Sequence, residues 1–293
     1  MPAPSSSLIS TTADLKLLLS SIIWPDSTIY LDLEGKKLGR HGTLTLATML
    51  IHPRDVLCVV DVLTLGESAF NIEAENGKSL KSILEDPEIP KCVWDVRNDA
   101  DALWAHFQVK LAGVVDVQLL ENASRPARVD KARLSGLDNA VRYDLKLGFM
   151  GRERWIRTKN DVRSRMSQDI FSSRPLAPDT LQYCINDVVH LPALRKHYME
   201  RITPDWLAKS REESSRRVAD AWSPGYQPQS PEKVFSPWRK TGSATTLTVE
   251  EALELWQMDQ HDLEEEYDYF EDERFCSADA DFDGTFDSCW EKN

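Results

Sequence analysis

Acidic side chains at three places in this chain have the types and spacing that divalent-metal chemistry uses. They fall in Leu31-Asp32-Leu33-Glu34-Gly35, in Arg97-Asn98-Asp99-Ala100-Asp101-Ala102-Leu103, and in Tyr183-Cys184-Ile185-Asn186-Asp187. Two carboxylates two residues apart on a strand point to the same face. A tyrosine and an aspartate four apart on a helix also share a face. Singly, each has a plainer reading. Asp32 and Glu34 alone can be the outward positions of a half-exposed strand. Asp99 can be a carboxylate favoured by the positive end of a helix, and Tyr183 a buried phenol that has found a partner. Brought together from a strand and two helices, such carboxylates have one common use: holding divalent cations against a phosphate.

The elements that must position them are legible in outline. A short amphipathic helix is predicted over about 14–22, with Thr12 as its N-cap. β-rich segments follow at 28–33, 43–51 and 56–62, separated by Gly42 and the His52-Pro53-Arg54-Asp55 turn. A helix at 79–84 precedes a strand at 91–96, a helix at 98–107 and a strand at 113–117, with helical stretches to about 143. A last helix is predicted over 179–198, started by Pro178 and Asp179. Strands in a meander and then alternating with helices imply an α/β domain with a mixed sheet. The organisation read from this is an N-terminal helix or leader at 1–24, the main domain at 25–202, a Pro/Ser/Arg/Gln-rich linker at 203–246, and an acidic tail at 247–293.

The chain has 293 residues, 41% of them hydrophobic, and a formal charge of −13. Residues 259–293 hold fourteen Asp/Glu against Arg274 and Lys292, so that segment carries 2 − 14 = −12 and the other 258 residues carry −13 − (−12) = −1. The acidity is therefore a property of the tail. Nothing reaches the ~18–20 apolar residues of a membrane span, and the N-terminus lacks the basic region of a secretory signal. Cys58, Cys92, Cys184, Cys276 and Cys289 are odd in number and widely spaced, the pattern of free thiols in a reducing compartment. An intracellular location, nucleus or cytoplasm, is expected.

The three acidic segments together resemble those of the DEDDy 3′–5′ exonucleases, the group of ribonuclease D and the Werner-type exonuclease domain. Asp32 and Glu34 match the first motif. Asp99, with Leu103 four positions on, matches the second, for which Asp101 is the rival. Tyr183 and Asp187 match the third. The run from Phe171-Ser172-Ser173-Arg174-Pro175-Leu176 through Leu181-Gln182-Tyr183 resembles the stretch that precedes it, and Asp116-Val117-Gln118 sits where these proteins carry Asp-Thr-Gln. Two positions depart from the pattern: Trp94 stands where histidine is frequent, and Phe171 where tryptophan is usual. Gly35, Lys36, Lys37 and the Gly42-Thr43-Leu44-Thr45-Leu46 run are closer to the Egalitarian-like branch, some of whose members bind RNA or act as scaffolds.

The resemblance, over roughly 25–200, implies a ribonuclease H-like mixed β-sheet flanked by helices; by composition, a largely disordered acidic C-terminal tail is expected to follow it. It implies that Asp32, Glu34, Asp99 and Asp187 bind two ions, Mg²⁺ or Mn²⁺, and that Tyr183, assisted by Glu34, orients the attacking water. The substrate would be nucleic acid with a free 3′ end, single-stranded and with RNA slightly preferred. The alternative from a different class is a catalytically weak or inactive nucleic-acid-binding scaffold; all predicted ligands are present, which favours catalysis.

Outside the motifs, the stretch 142–174 is rich in Arg and Lys. Arg152, Arg154, Arg157 and Lys159 could grip a phosphate backbone, with Trp155 stacking on a base, or the stretch could be a solvated surface loop. Lys36, Lys37 and Arg40 are a second candidate contact. In the tail, Thr248 and Glu251 form a capping box that opens a helix over 248–270, whose apolar stripe (Val249, Leu253, Trp256, Leu263, Tyr267, Phe270) suits docking onto the body or a protein partner; a disordered, solubilising tail is the plainer reading. Asp279-Ala280-Asp281-Phe282-Asp283-Gly284 begins like a calcium loop, but Trp290 stands at its twelfth position.

Overall fold

Among the described residues, runs of aliphatic and β-branched residues build six strands: β1 (Ser7–Ile9), β2 (Thr28–Glu34), β3 (Leu46–His52), β4 (Val56–Asp61), β5 (Lys91–Val93) and β6 (Val114–Asp116). The computed structural model describes residues 7–21, 26–239, 248–251 and 254. The strands form one mixed sheet in the order β1-β4-β3-β2-β5-β6. β2, β3 and β4 are an antiparallel meander, while β1 joins β4, and β5 and β6 join β2, in parallel. β2 and β3 pair from Thr28 opposite His52 to Glu34 opposite Leu46.

Helices cover the sheet: α1 (Thr12–Ser21), α2 (Val62–Leu65), α3 (Ser68–Asn71), α4 (Leu80–Glu85), α5 (Arg97–Phe107), α6 (Val117–Ser124), α7 (Leu137–Asp144), α8 (Phe149–Arg163), α9 (Pro178–Val189), α10 (Leu191–Met199) and α11 (Pro204–Ala221). The main core gathers Ile29, Leu31 and Leu33 of β2 with Leu15 and Leu19 of α1, Ile83 of α4, and Ala102 and Leu103 of α5. A second core on the other face joins Tyr30, Val117, Leu120, Trp155, Val188 and Leu194. The expected α/β mixed sheet flanked by helices is the architecture found.

Several boundaries differ from those read in the sequence. The segment expected as a leader is part of the domain: Ser7, Leu8 and Ile9 pair with Cys58, Val59 and Val60. Its helix is capped by Thr11, not Thr12, the Thr11 hydroxyl accepting from Asp14 N at 3.1 Å. The helix expected over 179–198 is two helices meeting at His190, with Pro192 at the start of the second, because proline cannot donate within a continuing helix.

The main correction concerns the linker. Residues 204–221 form the 18-residue helix α11, packed on α5, α6 and β6. Its inner face is Ser210, Ser214, Arg217, Val218 and Ala221. The spacing is helical but the residues are mostly polar, so no apolar period announces it. The serine hydroxyls bond back to Trp206 O and Ser210 O at 2.9 and 2.7 Å, and Arg217 is buried against Asp116 at 2.7 Å. Beyond it, residues 222–239 run back over the domain as a strap, with Leu134 N and Ser236 N donating to Val234 O and Ala132 O at 2.9 and 2.8 Å. Likewise 149–163 is a helix and not a surface loop.

Thr248 and Glu251 form the expected capping box, Glu251 N donating to Thr248 Oγ1 at 3.2 Å and Thr248 N to Glu251 Oε2 at 2.7 Å. The remainder of the 248–270 helix, the disorder expected of the tail and the calcium-like loop lie outside the described residues. Among the described residues no helix is long and apolar enough to cross a membrane.

Candidate active site

Alternation along β2 sends Ile29, Leu31 and Leu33 into the main core and leaves Asp32 and Glu34 on the opposite face. Helix α9 crosses β2, β3 and β4 on that face, presenting Tyr183 and Asp187 from consecutive turns. Asp32, Glu34 and Asp187 each bring a carboxylate oxygen to within 4.8 Å of the others. Gly35 follows at a point where a Cβ would lie 2.0 Å from Thr43 O, so only glycine lets the chain turn there without displacing Glu34.

Burial raises the carboxyl pKa values of Asp32 and Glu34 well above their ordinary range, and Asp187 and Asp99 raise both further. Asp99 is itself pushed up to about 7, by burial and then by the negative charge of Asp95. Burial also raises Asp187, and it drives the Tyr183 phenol well up, reinforced by Asp187, Glu34 and Asp32. Asp32 Oδ2 is buried without a hydrogen-bond partner. Hard oxygens in mutual repulsion, one of them orphaned, fit a divalent cation.

Asp99 and Asp101 separate cleanly. Asp101 is fully buried on α5 and accepts from Arg40 N and Nε, both at 2.7 Å. Asp99 is the member of the pair whose charge is felt by Asp32 and Glu34. The start of α5 is fixed from behind by Asp116, which accepts from Asp95 N and Val96 N at 3.1 Å and pairs with Arg217. From the strap, Lys233 Nζ and Tyr226 Oη reach Asn98 Oδ1 at 2.5 and 3.2 Å.

Lys159 is the residue whose role the sequence concealed. It is buried on α8, its ammonium ion-paired with Asp187, 3.9 Å from Asp138 Oδ1 and 4.2 Å from the centre of the Tyr183 ring. Burial opposes its charge, yet Asp187 and Asp138 together hold its pKa above the ordinary value. Asp138, also buried, is paired with Arg163. The signal was there in part: Trp155, Lys159 and Val162 are buried at helical spacing.

The other candidate nucleic-acid contacts divide. Lys36 and Lys37 are exposed in the turn directly after Glu34, and Arg154 and Arg157 are exposed on α8 with Arg152 half-buried. Trp155 is 4% exposed, packed in the second core with its ring 6.3 Å from that of His190, so it offers no face to a base. The Arg40 guanidinium is taken up by Asp101 and by the carbonyls of Ala221, Ser223 and Pro224; it fastens the strap and does not face a ligand. Arg174 is likewise spent on Asp61, at 2.7 and 2.5 Å. Phe171, in place of the usual tryptophan, lies 6.0 Å from the Tyr183 ring and backs it.

The sequence model of a family described as 3′–5′ exonuclease matches residues 8–203. Among solved structures, ribonuclease D of Trypanosoma brucei is similar with a TM-score of 0.60 and 23% identity over 74% of this chain and 73% of that one. The catalytic core of RRP6 from the same organism gives 0.54 and 18%, over 74% of this chain and 52% of that one. Escherichia coli ribonuclease D gives 0.51 and 22%, over 73% and 51%. At these identities the likeness is one of fold. T. brucei ribonuclease D also has a structure in complex with the RNA U12. No curated protein matches the sequence.

Proposed function

Since this chain belongs to the 3′–5′ exonuclease family, as a DEDD-type member, we propose that it removes nucleotides from the 3′ end of single-stranded nucleic acid, with RNA preferred, and releases nucleoside 5′-monophosphates. The observation that carries this is the convergence of Asp32, Glu34 and Asp187 within 4.8 Å, with Asp99 outside that group but near enough for its charge to raise Asp32 and Glu34. These four would hold two divalent cations, Mg²⁺ or Mn²⁺. Bound cations supply charge neutralisation for the carboxylates, activation of water and stabilisation of the departing 3′ oxygen.

The protein's own part is placement. The Tyr183 phenol, its pKa raised by burial and by Asp187, stays protonated at neutral pH, so it orients the attacking water by a hydrogen bond and is not a base. Glu34, the last residue of β2, helps hold that water. The oxygen of the water bonds to phosphorus as the P–O3′ bond breaks; the water gives up one proton to solvent, and the departing 3′ oxygen takes one up from solvent and leaves as a hydroxyl. Lys36 and Lys37 of the turn after Glu34, and Arg154 of α8, all exposed, would neutralise backbone phosphates of the strand. The preference for RNA rests on the ribonuclease D relatives alone.

One observation favours the alternative, a nucleic-acid-binding scaffold: the Lys159 ammonium sits on Asp187, where a cation would otherwise be held. The two readings part on one experiment. Single-stranded RNA and DNA oligonucleotides labelled at the 5′ end are incubated with Mg²⁺ or Mn²⁺, beside the Asp32→Ala variant. A ladder of shortening products absent from the variant establishes the exonuclease and its sugar preference. Binding of the oligonucleotide without shortening would establish the scaffold.

A further inference from the structure

We propose that a cavity on the side of the domain, between the α6–α7 connection and the C-terminal strap, is the docking site of this chain's own acidic segment, residues 262–273. The cavity, of about 930 Å³, is lined by residues 123–132 on one wall and by Arg201, Trp206, Phe235, Trp238 and Arg239 on the other. None of its lining residues belongs to the acidic site.

Its chemistry is cationic and aromatic. Arg125, Arg128, Lys131, Arg201 and Arg239 face Asp130 as the one acid of the lining. Arg125 is neutralised by Glu121 at 2.7 Å and Arg239 lies 3.8 Å from Glu232, while the Lys131 ammonium is held in place by the backbone carbonyls of Asn122, Ala123 and Arg125 at 3.0, 2.9 and 2.5 Å. The Trp206 and Trp238 rings meet edge to face at 5.3 Å, and Trp238 Nε1 is anchored on Asn122 Oδ1 at 2.6 Å. The ammonium groups of Lys131 and Lys209 lie 5.2 and 4.5 Å from the Trp206 ring centre. Fixed cations beside aromatic edges suit a ligand that is both acidic and aromatic.

Residues 262–273, Asp-Leu-Glu-Glu-Glu-Tyr-Asp-Tyr-Phe-Glu-Asp-Glu, are such a ligand: eight carboxylates, three aromatic rings and no Lys or Arg. The described strap ends at Arg239, in the wall of the cavity. The 23 residues from there to Asp262 can span roughly 75 Å when extended, far more than the docking needs, and the tether keeps the segment at an effective concentration of about millimolar. An untethered acidic peptide has no such advantage. Docking would cover a surface that could otherwise hold nucleic acid away from the active site.

The test is zero-length carbodiimide cross-linking of the full chain at low salt, mapped by mass spectrometry. Amide links from carboxylates of 262–273 to Lys209 or Lys131 are expected in the monomer fraction. They should fall at least about fivefold at ~0.5 M salt, which shortens the screening length below ~5 Å, and equally in an Arg128→Glu/Arg201→Glu variant. Both arginines are exposed, and an unchanged melting temperature would verify that variant's fold. Links to Lys36 and Lys37, an even spread over surface lysines, or links confined to a dimer fraction would overturn the proposal. So would shielding of Lys209 by single-stranded RNA with no link to the tail, which would make the cavity a nucleic-acid site. Should no link form, the chain with 262–273 replaced by a Gly/Ser stretch of equal length is compared for acetylation of Lys131 and Lys209. Greater labelling in the replaced chain supports docking, and equal labelling overturns it. None of these readouts depends on exonuclease activity.

Discussion

Lys159 of α8 and Asp187 of α9 form a buried ion pair, with the lysine ammonium also facing the Tyr183 ring. One side chain thus touches a metal-ligand candidate and the residue proposed to orient water. The pair balances charge in a site whose carboxylates otherwise repel one another. Divalent cations bound there would bring the same compensation, so the lysine and the cations would compete for Asp187.

The Lys159→Met variant should therefore melt lower than the parent in chelator, by the equivalent of about 3–5 kcal/mol for a broken buried pair. It should gain more from saturating Mg²⁺ or Mn²⁺ than the parent does. Thermal denaturation with and without each ion measures both effects. An equal metal-induced gain in the two proteins would show that Lys159 does not compete with cations.

The pH dependence of the metal-free protein follows from Asp99, whose pKa rises from 3.8 to about 7 on folding. Between those values the folded chain keeps a proton that the unfolded chain has released. Protonation then favours the folded state, so stability falls as pH rises through this window. Asp32, Glu34 and Asp187 shift in the same direction and deepen the fall. The loss from pH 5 to pH 8 should be on the order of a few kcal/mol. Cations bind the ionised carboxylates, so Mg²⁺ should restore more stability at pH 8 than at pH 5. Denaturant titrations at the two pH values, with chelator or Mg²⁺, measure this. A metal-free stability that climbs from pH 5 to 8 would contradict the crowded-carboxylate account.

Asp99 and Asp101 lie two residues apart on one helix and should respond oppositely to amidation. Asp99→Asn should abolish nucleotide release, by more than about 10²-fold, while leaving metal-free stability equal or higher because a repelling charge is gone. Asp101→Asn should cost about 3–5 kcal/mol by leaving Arg40 unpaired and should reduce activity only as far as the fold loosens. Rates and denaturant midpoints for the two variants decide the assignment. A stable but inactive Asp101→Asn protein would reverse it.

The carboxylates were legible because strand and helix periodicity place them without knowledge of tertiary packing. Asp32 and Glu34 share a face through the period of two along β2, and Tyr183 and Asp187 through one helical turn. What escaped the sequence was burial of polar residues. Lys159 reads as a surface charge until α8 is seen to turn it inward, onto Asp187 of α9 and towards the buried Asp138 of α7. Ser210, Ser214 and Arg217 gave α11 a buried face without an apolar stripe. Arg40 looked like a phosphate contact because nothing local reveals partners at Asp101 and Ala221, 61 and 181 residues away. The break at His190 was the opposite case, since Pro192 stood in plain view.

Arg217 is where this hidden packing meets the active site. Its guanidinium donates to Asp116 Oδ2 at 2.7 Å and to Gln118 Oε1 at 3.1 Å, and lies 3.4 Å from Asp95. Asp116 in turn holds the backbone of Asp95 and Val96, from which α5 and Asp99 begin. Arg217→Met removes the cation and leaves Asp116 buried without its partner, at a cost of about 3–5 kcal/mol. It should also free the start of α5, so that the half-saturating Mg²⁺ concentration rises together with the loss of stability. Adding Asp116→Asn removes the stranded charge, and the double variant should recover part of the stability but not the metal affinity, because the neutral amide no longer accepts as strongly from Asp95 N and Val96 N. Denaturant midpoints and Mg²⁺ titrations of the single and double variants form a mutant cycle. A coupling near zero in both measurements would mean that α11 merely packs against the domain and does not hold Asp99 in place.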